Sequence, residues 1–382
     1  MPANDRKLPT AATKAGVVLM PTTPQPRHEQ QSHAVLATLL AELIGCRFIG
    51  SREANAPAPS TPQDLYFVPS DTLLGDAPRV LGIAGPQDLF GGAVSHPFMA
   101  TKSISHAVIS DDATVPPAWS YQFGEQTAEA VLRGFTVFSI EDAREAGRRL
   151  LKEGPFRVKP VQAKAGRGQV VMRDASALES YLATLNAEEL ATWGLVLEEN
   201  LENVTTYSVG QVHLGGLVAS YYGTQRLARD HGGESVYGGS DLKLYRGGYE
   251  SLLDAAPTDE LQRAVAKARV YDAAARSCYP TLIASRLNYD VVQGTDASGK
   301  LRYGVLEHSW RIGGASGAEI LALRAFADDN ALQHAHAWTR ETYGVAEYDD
   351  DPAVNTIVMF KGLDDDVGYI TKTASIRTDG LP

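Results

Sequence analysis

Two acids, Asp290 and Glu307, stand where a β-hairpin would hold them face to face. Residues 287–293 and 301–309 are rich in β-branched, aromatic and aliphatic side chains, and the polar run 294–300 between them has the composition of a turn. With Ser298 and Gly299 as the two turn residues, Asp290 lies opposite Glu307, their Cβ atoms roughly 5 Å apart. Two carboxylates so placed repel unless positive charge sits between them, and a divalent cation is the simplest remedy. Side chains alternate along a strand, so Glu307, Ser309 and Arg311 share one face if the strand runs that far. That face offers two oxygen ligands for a hard metal and a guanidinium for an anion. Gly313 and Gly314 then end the strand beside the site. Taken alone, the pair reads as readily as the solvated face of a hairpin.

Further upstream stand residues suited to phosphate. Lys159 lies near the end of a strand predicted over 156–160. The loop 162–169 that follows carries Gly166 and Gly168 flanked by Lys164 and Arg167. Such a loop can turn backbone N–H groups toward phosphate while the lysine supplies a fixed charge beneath it, although a solvated basic hairpin has the same composition. No GxxxxGK[ST] occurs, so this is not a Walker loop. The apolar strand after it ends in Glu198, Glu199, Asn200 and Leu201, where free main-chain groups and an apolar side chain suit a flat aromatic base; an ordinary charged strand end is the alternative.

These residues need elements to hold them. The 382 residues carry 35 Lys and Arg against 46 Asp and Glu, a net charge of -11. That balance argues against non-specific binding to nucleic acid or anionic membrane but leaves room for a local basic pocket. With 44% hydrophobic residues, the chain can build two or three cores. Cys46 and Cys278 are too few and too far apart for a disulfide framework or a zinc site. No apolar run of about 18 residues occurs. Residues 1–15 lack the apolar core of a signal peptide, so a mobile N-terminus and a cytoplasmic location are expected.

Residues 16–21 read as a buried strand and 28–45 as a helix with Val35, Leu36, Leu39, Leu40 and Leu43 at helical spacing. Strands over 46–50, 65–68 and 79–84 complete a small α/β unit with a parallel sheet, and no GxGxxG follows its first strand. Helices are predicted over 99–109, with Lys102 in the first turn, and over 125–133, 141–152, 177–185, 318–327 and 331–343. In the last of these, His334 and His336 would lie on different faces and form no metal pair. Strands are predicted over 170–173, 194–198, 355–360 and 369–376. Residues 221–249 hold Arg226, Arg229, His231, Lys243 and Arg246 among seven glycines. They read as a flexible basic loop, either a lid or acceptor site or a solvent-exposed insertion.

The order of these features resembles the ATP-grasp superfamily: a lysine at a helix start, Val158-Lys159-Pro160 before a glycine loop, a strand ending in Glu and a hinge, then an Asp strand hairpinned to E-x-S-x-R-x-G-G at residues 307–314. That superfamily includes carboxylate–amine ligases, biotin carboxylase and D-alanine–D-alanine ligase. The resemblance runs over about residues 98–317, and a bacterial group of unknown function within the superfamily is the nearest match. It implies an α/β (α+β) fold: a Rossmann-like domain over 16–98, a small lid subdomain over 99–197, and a large subdomain over 198–382 with the metal site.

Carried over by position, the resemblance makes Lys102 and Lys159 the lysines that hold ATP phosphates. Residues 165–169, with Lys164, Gly166 and Gly168, become the loop that closes over them. Glu198, Glu199 and Leu201 become the adenine linker. Asp290 and Glu307 match the magnesium (or manganese) acids, and Ser309 stands where asparagine is usual, which would hold a second ion loosely or through water. Arg311 matches an arginine facing the reacting carboxylate or phosphate, and Arg286 can reach the same site. Thr206 and Ser208 stand where many members place a His or Glu on ribose, which weakens that contact. The implied activity is ATP-dependent joining of a small-molecule carboxylate to an amine or thiol; a small-molecule kinase and a non-catalytic nucleotide-binding protein are the alternatives. A homodimer is compatible with this, and neither nucleic acid nor membrane is an expected partner.

Overall fold

The computed structural model describes residues 14–52, 64–162, 168–345 and 354–377. At the start of the chain, β1 (Gly16–Met20), α1 (Arg27–Ile44), β2 (Phe48–Ser51) and β3 (Leu65–Pro69) form the expected unit, a parallel sheet in the order β2-β1-β3. Every residue of β1 and β3 is buried, as strands covered on both faces must be. β4 (Leu73–Leu74), α2 (Ala77–Leu81) and β5 (Gly92–Val94) follow. The strand predicted over 79–84 is therefore a correction. Pro78 sits in the first turn of a short helix, Arg79 pairs with Asp76 and Val80 faces solvent, while Ile83 just after the helix is buried in the core.

The helix predicted over 99–109 is also absent. Two 3-10 turns, Pro97–Ala100 and Lys102–Ser105, take its place. Polar side chains of this stretch take up local and tertiary bonds: Thr101 caps its own turn by accepting from the Ser103 N–H, and Ser105 meets the Tyr271 hydroxyl at 2.9 Å. α3 is Tyr121–Thr127, capped by Ser120, where a helix over 125–133 was predicted. Next come β6 (Gly134–Val137), α4 (Ile140–Leu151), β7 (Phe156–Pro160), β8 (Val170–Met172), α5 (Ala175–Leu182), α6 (Ala187–Trp193) and β9 (Leu195–Glu199). The four strands pair antiparallel in the order β6-β9-β7-β8. Ala143, Ala146 and Leu150 of α4 and Leu178 and Leu182 of α5 cover them, around a core that includes Phe156, Val158 and Leu197.

The rest of the chain is β10 (Glu202–Leu214), β11 (Leu217–Arg229), β12 (Ser235–Arg246), α7 (Tyr249–Ala255), α8 (Asp259–Cys278), β13 (Ile283–Ala284), β14 (Arg286–Thr295), β15 (Leu301–Ser309), α9 (Ser316–Asp328), β16 (His334–Tyr343), β17 (Asn355–Asp364) and β18 (Gly368–Arg377). Eight of these strands form one antiparallel sheet, β15-β14-β10-β11-β12-β16-β18-β17. Alternation sorts its faces. Val209, Tyr222, Tyr289 and Val291 pack on α8, whereas Val212, Leu242, Ala337 and Ala374 pack on the side of α9 and α1. Among the described residues no helix is long and apolar enough to cross a membrane.

Two further expectations fail here. Residues 221–249 are not a loop but mostly the long β11–β12 hairpin. Its glycines permit close approach: a Cβ on Gly223 or Gly239 would collide with the carbonyl of Asp241 or Thr339. Residues 331–343 are mostly strand β16. Ala335, Ala337 and Thr339 are buried and His334, His336 and Trp338 are not, a period of two that the alanines disguised as helix. His334 and His336 accordingly share one face, and His336 bonds to Asp241 at 2.7 Å.

Candidate active site

The hairpin pairs Asp290 with Glu307 as predicted, but by another route. Its turn is centred on Ser298, with the Asp296 N–H donating to Lys300 O and the Asp296 carboxylate accepting from the N–H groups of Ser298 and Lys300. Pairs near the turn, such as Thr295 with Leu301, therefore run one residue out of the predicted register. A bulge at Leu306, between the Val291–Val305 and Asp290–Glu307 pairs, restores it. β15 stops at Ser309, so Arg311 lies beyond the strand, its Nε 3.3 Å from Asp71 of the N-terminal unit.

Lys102 opens its 3-10 turn almost fully buried, with Nζ 2.6 Å from Glu307 Oε2. Burial alone would push the Glu307 carboxyl up, but Lys102 outweighs it, aided by Lys159 and Arg311, and holds it below its ordinary range. Asp290 lacks such help. Burial and then the Glu307 charge raise its carboxyl to about 6, only partly offset by bonds from Gln225, Asn288 and Ser208. Lys159 and Glu198 are both buried, 2.7 Å apart, and the other Glu198 oxygen meets His106 Nε2 at 3.1 Å. Burial would raise Glu198; Lys159 and His106 prevail and set it at about 2.

Lys102, Lys159, Arg311, Asp290 and Glu307 thus come together, and Ser208 joins them by donating to Asp290 Oδ1 at 3.3 Å. Thr206 lies on the same face two residues before, paired with Val292. Leu201 packs with Leu132 and Val292. The Glu199 carboxylate is not available to a base. It accepts from the Arg133 N–H, Nε and Nη2 at 2.8–3.0 Å and from Arg302 Nε at 3.1 Å, leaving the main chain of the linker for that contact. Arg286 is a second correction. It is 2% exposed, with Nε and Nη2 on Glu319 and Nη1 on the carbonyls of Ser309 and Arg311 and on Ser309 Oγ. It can position residues but cannot touch a substrate. Gly168 is exposed just before β8, while Lys164 and Gly166 lie outside the described residues.

Sequence reasoning missed Asn288, Gln225, Tyr221 and Glu319. Asn288 pairs with Ser309 and donates Nδ2–H to Asp290 Oδ1 at 3.0 Å. Its signal was present: two residues before Asp290 on one strand, it had to share that face.

No curated protein matches the chain. Among solved structures, N5-carboxyaminoimidazole synthetase from Staphylococcus aureus complexed with ADP is similar at a TM-score of 0.56 and 10% identity, over 99% of this chain and 97% of that one. Biotin carboxylase from Campylobacter jejuni, in complex with β,γ-ATP, gives 0.51 and 11%, over 95% and 88%. The biotin carboxylase domain of Hydrogenobacter thermophilus 2-oxoglutarate carboxylase, solved with MgADP, ADP and bicarbonate, gives 0.51 and 10%, over 96% and 87%. At such identity these likenesses concern the fold, and the fold is ATP-grasp. Residues 17–374 match the family described as Protein of unknown function (DUF3182), and the chain belongs to that family.

Proposed function

We propose that this chain is an ATP- and magnesium-dependent ligase that activates a small-molecule carboxylate as an acyl phosphate and joins it to an amine or thiol. One observation carries the reading: three cations from separate segments, Lys102, Lys159 and Arg311, act on Glu307, which stands opposite Asp290. A cation between the two acids would release Lys102 from its 2.6 Å pair with Glu307, and a phosphate chain would then meet the lysines. The donors fit magnesium. Asp290 and Glu307 would hold it through carboxylate oxygens, the donors a hard cation takes. Magnesium, when bound, draws charge from the transferring phosphoryl group.

On this reading Lys102 leaves Glu307 for the phosphates, and Lys159 supports them from β7. Residues 99–197 act as the lid that excludes water; residues 198–382 carry the metal acids. The linker after β9 cups the base through its main chain and Leu201. The substrate carboxylate attacks the γ-phosphorus in line and ADP leaves; the amine then displaces phosphate from the acyl carbon. Arg311 steadies the charge that develops at the carboxylate. No side-chain nucleophile is required.

The test is ADP release over a panel of carboxylates crossed with amines, with hydroxylamine as a trap. A hydroxamate is expected, since only an acyl phosphate yields one. ADP release with no hydroxamate would assign phosphate transfer to a hydroxyl, and binding without turnover would leave a nucleotide-binding module.

A further inference from the structure

Asn288 is the residue whose surroundings the mechanism above leaves unexplained. Tyr221 lies across Gly210, where any Cβ would collide with its ring, and so reaches from β11 over β10 to β14. Its hydroxyl is 2.7 Å from Glu319 Oε1 and 2.9 Å from Asn288 Oδ1. One phenolic proton cannot serve two acceptors. Glu319 has the stronger claim, being wholly buried and bonded by Arg286 through Nε and Nη2 at 2.7–3.1 Å. That leaves Asn288 Oδ1 facing the phenolic oxygen with no proton between them, while Asn288 Nδ2 donates to Asp290 Oδ1 at 3.0 Å. A half-turn of the amide exchanges its oxygen and nitrogen, so that Nδ2 donates to Tyr221 in place of Asp290.

The turn has a consequence on the other side. It brings the Asn288 carbonyl oxygen to the atom position now 3.0 Å from Asp290 Oδ1. Two acceptors at that distance repel unless a proton or a cation lies between them, so the turned amide suits a site that holds a cation. Ser309, by contrast, has the Arg286 Nη1 at 3.2 Å from its Oγ, a positive charge that opposes any metal there. We infer that Asn288, in place of Ser309, supplies the third protein oxygen to a divalent cation held by Asp290 and Glu307, with its orientation fixed by Tyr221, Glu319 and Arg286. The inference rests on the metal site of the proposed function and names a ligand for it. Asn288 is the metal-touching group; Tyr221 and Glu319 are positioning residues.

MnCl2 titrated into the intact chain, followed by the electron paramagnetic resonance of free Mn2+, reads this without any substrate. Asn288→Leu is expected to weaken Mn2+ about tenfold or more, and Tyr221→Phe several-fold, in the range found for groups that orient metal ligands. Asn288→Asp should bind at least as tightly as wild type, and Ser309→Ala should change affinity less than about twofold. Melting temperatures accompany each titration, and Asn288→Asp, which keeps a polar group in the network, decides the matter where Asn288→Leu does not fold. Loss of affinity in Ser309→Ala with Asn288→Leu unchanged, or weakened binding by a folded Asn288→Asp, overturns the inference and leaves the metal site standing. Identical behaviour of wild type and Glu307→Gln overturns the site itself, and the inference with it.

Discussion

Two charged clusters lie side by side along β14 at one end of the large sheet, joined through Asn288 and Tyr221. Arg286 and Glu319 are closed to solvent, and their polar atoms meet each other, Tyr221, Ser309 and main-chain carbonyls. Asp290, Glu307 and Lys102 stand beside them, with Glu307 about one-third exposed and Asp290 lifted to about 6. The first cluster is balanced within itself. The second holds two facing acids and leans on cations from elsewhere in the chain. A satisfied buried pair is scaffold; an unbalanced one that opens to solvent is where a ligand completes the charge.

The comparison can be broken by exchanging the two kinds of effect. Glu307→Gln is expected to reduce nucleotide turnover about 1000-fold, the scale of losing a group that stabilises developing charge, while the melting temperature moves by only a few degrees. Glu319→Ala should do the reverse in kind: it strands Arg286 and costs roughly 3–5 kcal/mol in urea unfolding. A small loss there would mean that the sealed pair is not sealed.

pH separates the acids by sign. Glu198, held at about 2 by Lys159 and His106 against its burial, contributes stability that is present above its ordinary value and is lost as pH falls through about 2. Glu198→Gln should therefore cost on the order of 2–3 kcal/mol at neutral pH, with the difference closing in acid. Asp290 runs the other way. Raised to about 6 by burial and Glu307, it binds its proton more tightly folded than unfolded, so metal-free stability falls as pH rises from about 4 to 6. Asp290→Asn should then be the more stable protein above pH 6 by roughly 1–3 kcal/mol. Denaturation curves across that range check both signs. The smallest effect is a control: Arg144→Ala, which breaks an exposed pair with Glu179, should leave the urea midpoint unchanged.

Much of the site was legible because it depends on local pattern. Alternation placed Asp290 and Glu307 on facing strands, and Lys159 could be read at the end of an apolar run. Even so, the register came from a three-way agreement of turn, bulge and strand that no local pattern shows: Leu306 bulges to undo a turn of unexpected length. Where long-range packing decides, reading failed. Ala335 and Ala337 suggested a helix because alanine favours one, yet burial against the core beneath α9 made them one face of a strand. The glycines of the β11–β12 hairpin suggested mobility, yet Gly223, Gly238 and Gly239 lie where a Cβ would strike the backbone of a neighbouring strand. Arg286 looked available for catalysis because its partner, Glu319, lies on a later helix, and Tyr221 reaches Asn288 only across a strand between them.

Isothermal titration of ATP into the intact chain, with and without MgCl2, for wild type and Glu307→Gln, tests most directly whether this hairpin holds nucleotide through a cation. Binding that requires magnesium and is weakened at least about tenfold by Glu307→Gln is the expected result. No binding by wild type, or equal affinity in both proteins regardless of magnesium, would contradict it.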